Sequence, residues 1–145
     1  GGTLKVFDGL MDAAKGYVET ADALATANYL EEIEQTIDIT QTSAAFQELY
    51  SALFAKIGPA VSAHYYDIGY EAYRDELYDN AITNLTLAVK YDAANRDALF
   101  NLANAYKRAE DKNNALMYYQ KVIELFPDTQ SASRAQRYIN ELNEE

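Results

Sequence analysis

The sequence predicts an all-α fold of antiparallel helix hairpins, with about seven or eight helices stacked one after another. Residues 62–93 and 96–127 repeat one pattern at an offset of 34 residues, a period typical of helix–turn–helix units. Through most of the chain, apolar residues also recur every three or four positions, which is the spacing of a helix face. The chain has 145 residues, of which 49% are hydrophobic, so we expect a single compact domain over residues 3–145.

The two copies of the repeat agree in residue size at the positions that a helix hairpin must pack. Small residues recur where paired helices approach closely, namely at Gly69 and Ala103 and at Ala81 and Ala115. Large residues recur where spaces between helices must be filled, namely at Tyr65 and Leu99, Ile68 and Leu102, and Leu85 and Tyr119. Because two consecutive copies agree in phase, the pattern is specific.

This pattern resembles the tetratricopeptide repeat (TPR) family, over a little more than half of the chain. The resemblance implies a TPR-like right-handed superhelix, with a first repeat at 62–95 and a second at 96–129. It also implies a scaffold that binds other proteins, without indicating which. One departure lies in the turn between the paired helices, where the family favours Gly and this chain has Glu76 and Glu110. Either these turns differ, or packing compensates for a positive φ that costs roughly 1 kcal/mol.

The N-terminal part of the chain carries two further stretches of helical spacing. Residues 4–35 align in part with the repeats, so we interpret them as a degenerate TPR-like hairpin. The opening Gly1-Gly2-Thr3 lacks an initiator methionine, and we interpret residues 1–2 as the remnant of a cleaved tag.

An inserted helix is expected at 42–58, between this hairpin and the first repeat. Thr42 or Ser43 would cap it. Its buried stripe would consist of Phe46, Leu49, Tyr50, Leu53, Phe54 and Ile57. Pro59 removes a backbone donor and clashes one turn back, so the helix either ends there or continues with a kink.

A last helix is expected at 130–144, after Pro127 stops the second repeat. Thr129 or Ser131 would cap this helix. Its apolar face would consist of Ala135, Tyr138, Ile139 and Leu142, with charged residues outside. Such a helix would cover the open end of a helical repeat array.

Composition and charge exclude several classes of function. The net charge is −11, so the chain would be repelled by nucleic acid and by an anionic membrane surface. The segment holds no run long enough for direct membrane insertion. It has no cysteine and one histidine, His64, so a catalytic thiol, a Ser–His or Cys–His nucleophile system and a multi-histidine metal site are not expected. We therefore expect no enzyme, no catalytic residue, no cofactor and no metal.

The residues most suggestive of function lie on the first helix of each repeat, opposite its packing stripe. In the TPR resemblance this face lines a concave groove. The positions that project there are Tyr66, Tyr70, Tyr73, Phe100, Asn101, Asn104, Lys107 and Arg108. Tyrosine combines a large apolar ring, few rotamers and a polar tip, which suits protein recognition. Alternatively, several of these rings pack against the N-terminal helices.

A subset of TPR domains holds the C-terminal carboxylate of a partner with Lys, Asn and Arg from successive first helices. Here Tyr66 and Tyr70 occupy the first-repeat positions of that set, so this mode of binding is disfavoured. Lys107, Arg108, Arg134 and Arg137 would instead form a small cationic patch in an acidic molecule, where an acidic peptide could dock.

The ending VIELFPDTQSASRAQRYINEL, with the helices before it, resembles the TPR region of bacterial envelope proteins tethered by one membrane helix. That resemblance implies an extracytoplasmic location, with a cytoplasmic one as the alternative. We therefore expect a non-catalytic protein–protein interaction module that binds a peptide or partner protein in the groove. The alternative is a structural spacer or homo-oligomerisation domain whose groove is filled by its own N-terminal helices.

Overall fold

A computed structural model describes residues 2–145 of the chain, and the described part is all-helical, as predicted. Gly1, one half of the expected tag remnant, lies outside the described residues. Within the described residues the chain forms seven α-helices and a short 3₁₀ helix, Ile39–Gln41. The α-helices are α1 (Gly2–Thr20), α2 (Ala23–Thr36), α3 (Ala44–Arg74), α4 (Tyr78–Tyr91), α5 (Arg96–Arg108), α6 (Lys112–Leu125) and α7 (Gln130–Asn143).

The chain divides into two compact units, Gly1–Val61 and Ser62–Glu145. The division falls within α3, which contributes to both units. The expectation of a single domain over residues 3–145 stays a prediction. Among the described residues, none of the helices is both long enough and apolar enough to cross a membrane.

The first unit contains the α1–α2 hairpin and the N-terminal half of α3. Asp22 caps α2, because its side chain accepts a hydrogen bond of 3.0 Å from the Ala25 amide. Phe7 and Phe46 meet edge to face with ring centroids 5.6 Å apart, and Phe46 is fully buried. The helices α1 and α2 together cover residues 4–35, for which the sequence predicts a hairpin.

The helix α3 is continuous through Gly58 and Pro59, which decides between the two alternatives left open at Pro59. Residues 42–58 are therefore no separate helix, because they share one helix with the start of the first predicted repeat. Proline is tolerated here because Ala55, whose carbonyl loses its amide donor, is exposed and can bond to water. Of the two candidate caps, Ser43 accepts from the Phe46 amide at 3.2 Å.

The second unit pairs the C-terminal half of α3 with α4, and α5 with α6, and ends with α7. Two core clusters hold these helices together, one around Leu85 and Leu102 and one around Tyr119 and Val122. The small residues predicted at the close contacts, Ala81, Ala103 and Ala115, are fully buried. Thr129, one of the two predicted caps, accepts from the Ala132 amide at 3.1 Å and starts α7.

One predicted packing position is wrong. The repeat pattern places Ile68 in the interior with Leu102, its counterpart 34 residues later, yet Ile68 is 42% exposed. Leu102 is fully buried because it packs against Ala72 and Leu85 of the preceding hairpin. Equal positions in two repeats therefore do not have equal environments.

The turns after α3 and α5 adopt the same left-handed conformation, at Glu76 (φ 62°) and Glu110 (φ 63°). In each turn two nested backbone hydrogen bonds close the helix end, one from the residue at positive φ and one from the residue after it. Leu77 N–H donates to Ala72 O at 2.9 Å, and Asp111 N–H donates to Tyr106 O at 2.9 Å. These bonds satisfy carbonyls that a helix end leaves free, which offsets the cost of a positive φ at a glutamate. The turns thus keep the conformation for which the family favours glycine.

Two paired helices approach closely at Gly69, and this contact provides a test of the fold. An added Cβ at Gly69 would lie 2.7 Å from Leu85 Cγ, so Gly69→Ala should lower the free energy of unfolding by about 1–3 kcal/mol. Gly16→Ala is the matched control, because nothing lies within 4 Å of its added Cβ. It should stabilise α1 by up to about 1 kcal/mol. Urea unfolding followed by circular dichroism measures both, and equal effects would contradict the close contact.

Candidate functional site

A concave cavity of about 440 Å³ lies on the second unit, and all eight residues predicted for the groove line it. They come from the C-terminal half of α3 and from α5. Three further residues, Asp97, Arg134 and Tyr138, complete the lining, two of them from α7. The structure therefore brings the sequence-predicted residues together on one surface. Whether they bind a partner stays a prediction.

One wall of the cavity is a row of tyrosine rings on α3. Tyr66, Tyr70 and Tyr73 are spaced by four and three residues, which places them on one helix face. Their rings stack, with centroid distances of 5.7 Å between the first two and 6.5 Å between the second two. Tyr66 and Tyr73 pack in part against the core, whereas Tyr70 is 38% exposed. The row thus presents an aromatic surface to solvent.

A chain of polar contacts crosses the floor of the cavity and reaches the core. Asn101 Nδ2 donates to the Tyr66 hydroxyl at 3.2 Å, and Asn104 Nδ2 approaches Asn101 Oδ1 at 3.4 Å. The hydroxyl of Tyr119 donates to Asn104 Oδ1. Because Tyr119 is fully buried and fixed in the core, its hydrogen bond holds Asn104 in place, and Asn104 in turn contacts Asn101. Burial raises the pKa of Tyr119, which keeps this donor protonated.

Phe100 has a different role from the one predicted for it. It lines the cavity, but it is only 6% exposed. Its ring meets Tyr119 at 5.9 Å and Tyr138 at 6.2 Å, within the core cluster that joins α5, α6 and α7. Phe100 therefore supports the floor of the cavity rather than offering a free contact surface.

The end of the cavity next to α7 is positively charged. We call Lys107, Arg108, Arg134 and Arg137 the cationic cluster; all but Arg137 line the cavity. Lys107 Nζ lies 3.7 Å from the centroid of Tyr138, and Arg137 Cζ lies 5.2 Å from it. Arg134 Cζ lies 5.0 Å from the centroid of Phe100. Aromatic faces thus hold Lys107 and Arg134 at the cavity and Arg137 next to it.

Only one member of the cationic cluster has a carboxylate within 4 Å among the described residues. Arg108 lies 3.6 Å from Glu76, but both side chains are largely exposed, so this ion pair contributes little. The cationic patch suggested by the sequence is therefore present around Tyr138, with most of its charge unpaired inside the described part of the chain.

The two ends of the cavity differ in charge, and the pKa values of one tyrosine at each end are shifted in opposite directions. Hydrogen bonds from Arg134 and Arg137 lower the pKa of Tyr138 below its ordinary value. At the other end, burial raises the pKa of Tyr66 to about 12, and the nearby Asp97 carboxylate adds to this effect. The cavity is thus positive beside α7 and negative at the start of α5.

Asp97 and Tyr138 were missed as site residues, although the sequence contains a signal for each. Asp97 precedes Asn101 by four residues and lies on the same face of α5. Helix spacing places Tyr138 on the packing face of the last helix, and Tyr138 also follows the cavity residue Arg134 by four residues. The ring of Tyr138 packs against the ring of Tyr119, with centroids 5.5 Å apart, and it also borders the cavity.

A comparison with known protein families finds a match over a part of the chain that includes several cavity residues. Residues 97–129 match the family model of the tetratricopeptide repeat. These residues form a tetratricopeptide repeat. The matched TPR coincides with the second predicted repeat, 96–129, and supplies the α5 wall of the cavity. No curated protein matches the chain.

The TPR indicates a protein–protein interaction module with protein partners. Proteins with this repeat are typically non-catalytic. The first predicted TPR, 62–95, lies outside the matched residues and stays a prediction, although its turn at Glu76 repeats the geometry of the turn at Glu110.

The shifted pKa values of Tyr66 and Tyr138 predict how the free energy of unfolding changes in alkaline solution. An unfolded tyrosine ionises near pH 10, whereas Tyr66 in the folded protein holds its proton to about 12. The stability contributed by the neutral phenol is therefore present below pH 10 and is lost as the pH rises from 10 to 12. Tyr66→Phe should make the loss of stability over this range shallower, as measured by urea unfolding.

Tyr138→Phe is the control of opposite sign. The pKa of Tyr138 is lowered in the folded protein, so its ionisation adds stability as the pH rises towards 10. Removing this phenol should abolish that gain below pH 10 and leave the slope between pH 10 and 12 unchanged. If both variants change the pH dependence in the same direction, the assigned electrostatic difference between the two ends is wrong.

Proposed function

We propose that the concave cavity of the second unit binds a segment of a partner protein. The observation that carries this proposal is the convergence of the stacked tyrosine row, the asparagine pair and the cationic cluster on one cavity of about 440 Å³. Exposed aromatic rings beside arginine are typical of the residues that dominate binding energy at protein interfaces. The TPR supports a protein rather than a small molecule as the ligand.

The site is organised before a partner arrives. The Tyr66 hydroxyl accepts from Asn101, and Asn104 is fixed by the buried Tyr119. The rings of Tyr66, Tyr70 and Tyr73 stack on one another, which restricts their rotamers. A partner segment therefore has few side chains to order, which lowers the entropic cost of binding.

A second candidate function is self-association through the first unit. On α1 the large apolar residues Leu4, Met11 and Val18 are 66%, 46% and 71% exposed, and they recur every seven residues. This spacing places them on one helix face, as in helices that pair with a second copy. The structural or oligomerisation role expected as the alternative would use such a face.

Selection from a random peptide library, followed by fluorescence polarisation on the selected peptides, tests the proposal. Tyr70→Ala should weaken the binding of these peptides about tenfold or more, because it removes a central exposed ring. Met117→Ala is the control, since Met117 is 44% exposed on α6 and does not line the cavity.

Peptide binding that survives both Tyr70→Ala and Tyr66→Ala would contradict a role for the cavity. If Tyr70→Ala and Tyr66→Ala abolish peptide binding, and light scattering shows a dimer that Met11→Asp dissociates, both candidate functions operate. Binding in the cavity does not depend on the extracytoplasmic location expected from the sequence, which stays a prediction.

A further inference from the structure

The cationic cluster is unusual for its surroundings, because the protein carries a net charge of −11. Lys107 and Arg134 line the cavity without a carboxylate within 4 Å among the described residues. In an acidic protein, unpaired cations on a concave surface attract anionic groups locally. A partner with complementary charge would pair with them.

The aromatic contacts position these cations without neutralising them. Lys107 and Arg137 lie against the ring of Tyr138, and Arg134 lies against Phe100, which is itself held in the core. A ring face attracts a cation by its quadrupole but carries no net charge. The positive charge therefore remains available to a carboxylate, and the side chains that carry it lose little further freedom on binding.

The asparagines at the floor of the cavity favour side-chain carboxylates over the end of a chain. Asn101 Nδ2 donates to Tyr66 and to the Asp97 carbonyl at 2.9 Å, and Asn104 is engaged by Asn101 and Tyr119. Both N–H groups of Asn101 are engaged, and one of the two N–H groups of Asn104 points to Asn101 Oδ1, so this pair does not present several free amide donors to a terminal carboxylate. The cations beside α7 are the main donors for an anionic group.

The opposite end of the cavity limits how an acidic segment can lie. Asp97 is exposed there, next to Tyr66. An acidic side chain at that end would meet a like charge, which is unfavourable. The acidic part of a bound segment should therefore lie beside α7, with apolar or aromatic residues along the tyrosine row.

We propose that the partner segment is acidic, with internal Asp or Glu side chains paired to Lys107 and Arg134 and with apolar residues against Tyr66, Tyr70 and Tyr73. This inference rests on the proposed function and adds the chemical class of the partner. It commits to carboxylates within a segment, as opposed to the carboxylate at a chain terminus.

The same peptide selection tests this inference through variants that remove or keep one positive charge. Selected peptides should be enriched in Asp and Glu, and Arg134→Gln should weaken their binding about tenfold at 0.15 M salt. Arg134→Lys should retain most of the affinity because it keeps the charge. Arg96→Gln is the matched control, since it removes one positive charge from α5 at an exposed position that does not line the cavity.

Synthetic peptides with an amidated C-terminus separate the two sources of carboxylate, and they should bind as well as the free acids. Loss of binding on amidation would overturn the assignment to internal side chains. Peptides that need Tyr70 but show neither acidic enrichment nor sensitivity to Arg134→Gln would overturn the acidic partner and leave the proposed function standing. If no selected peptide depends on Tyr70, both proposals are wrong.

Discussion

The hydrogen bond from the buried hydroxyl of Tyr119 to Asn104 is the interaction on which the concave site depends. Tyr119 is fully buried among Phe100, Ala103 and Val122, so its hydroxyl has no access to water. An unpaired buried hydroxyl would cost about 1–3 kcal/mol, so the core and the cavity floor must fit each other. Through Asn104 and Asn101, that requirement extends to Tyr66 at the surface.

This arrangement links the packing of the repeat to its surface chemistry. The same α5 helix buries Leu99, Leu102 and Ala103 on one side and presents Asn101, Asn104 and Lys107 to the cavity on the other. The last helix has two roles as well, because Ala135 and Leu142 cover the core while Arg134 and Tyr138 border the cavity. A helix that closes the end of a repeat array thereby contributes charge to its concave surface.

Helix positions and most of the cavity lining could be predicted from the sequence, because both follow from repeat spacing and helix periodicity. The continuous α3 could not, since a proline tolerated at an exposed turn reads like a helix end. The exposure of Ile68 and the burial of Phe100 were also missed, because the same repeat position meets different neighbours in each repeat. Helix spacing relates Asp97 and Tyr138 each to one neighbour on its own helix, whereas only the folded structure places three helices around one cavity.

The crystal structure of the protein with a selected peptide is the most direct measurement of the central claim, that a preformed cavity receives an acidic segment. We expect the peptide to cross Tyr66, Tyr70 and Tyr73, with a side-chain carboxylate oxygen within about 3 Å of Lys107 Nζ or the Arg134 guanidinium. Tyr119 should remain bonded to Asn104, with backbone shifts of about 1 Å or less. A peptide bound outside the cavity, or a cavity that forms only by breaking the Tyr119–Asn104 bond, would contradict this account.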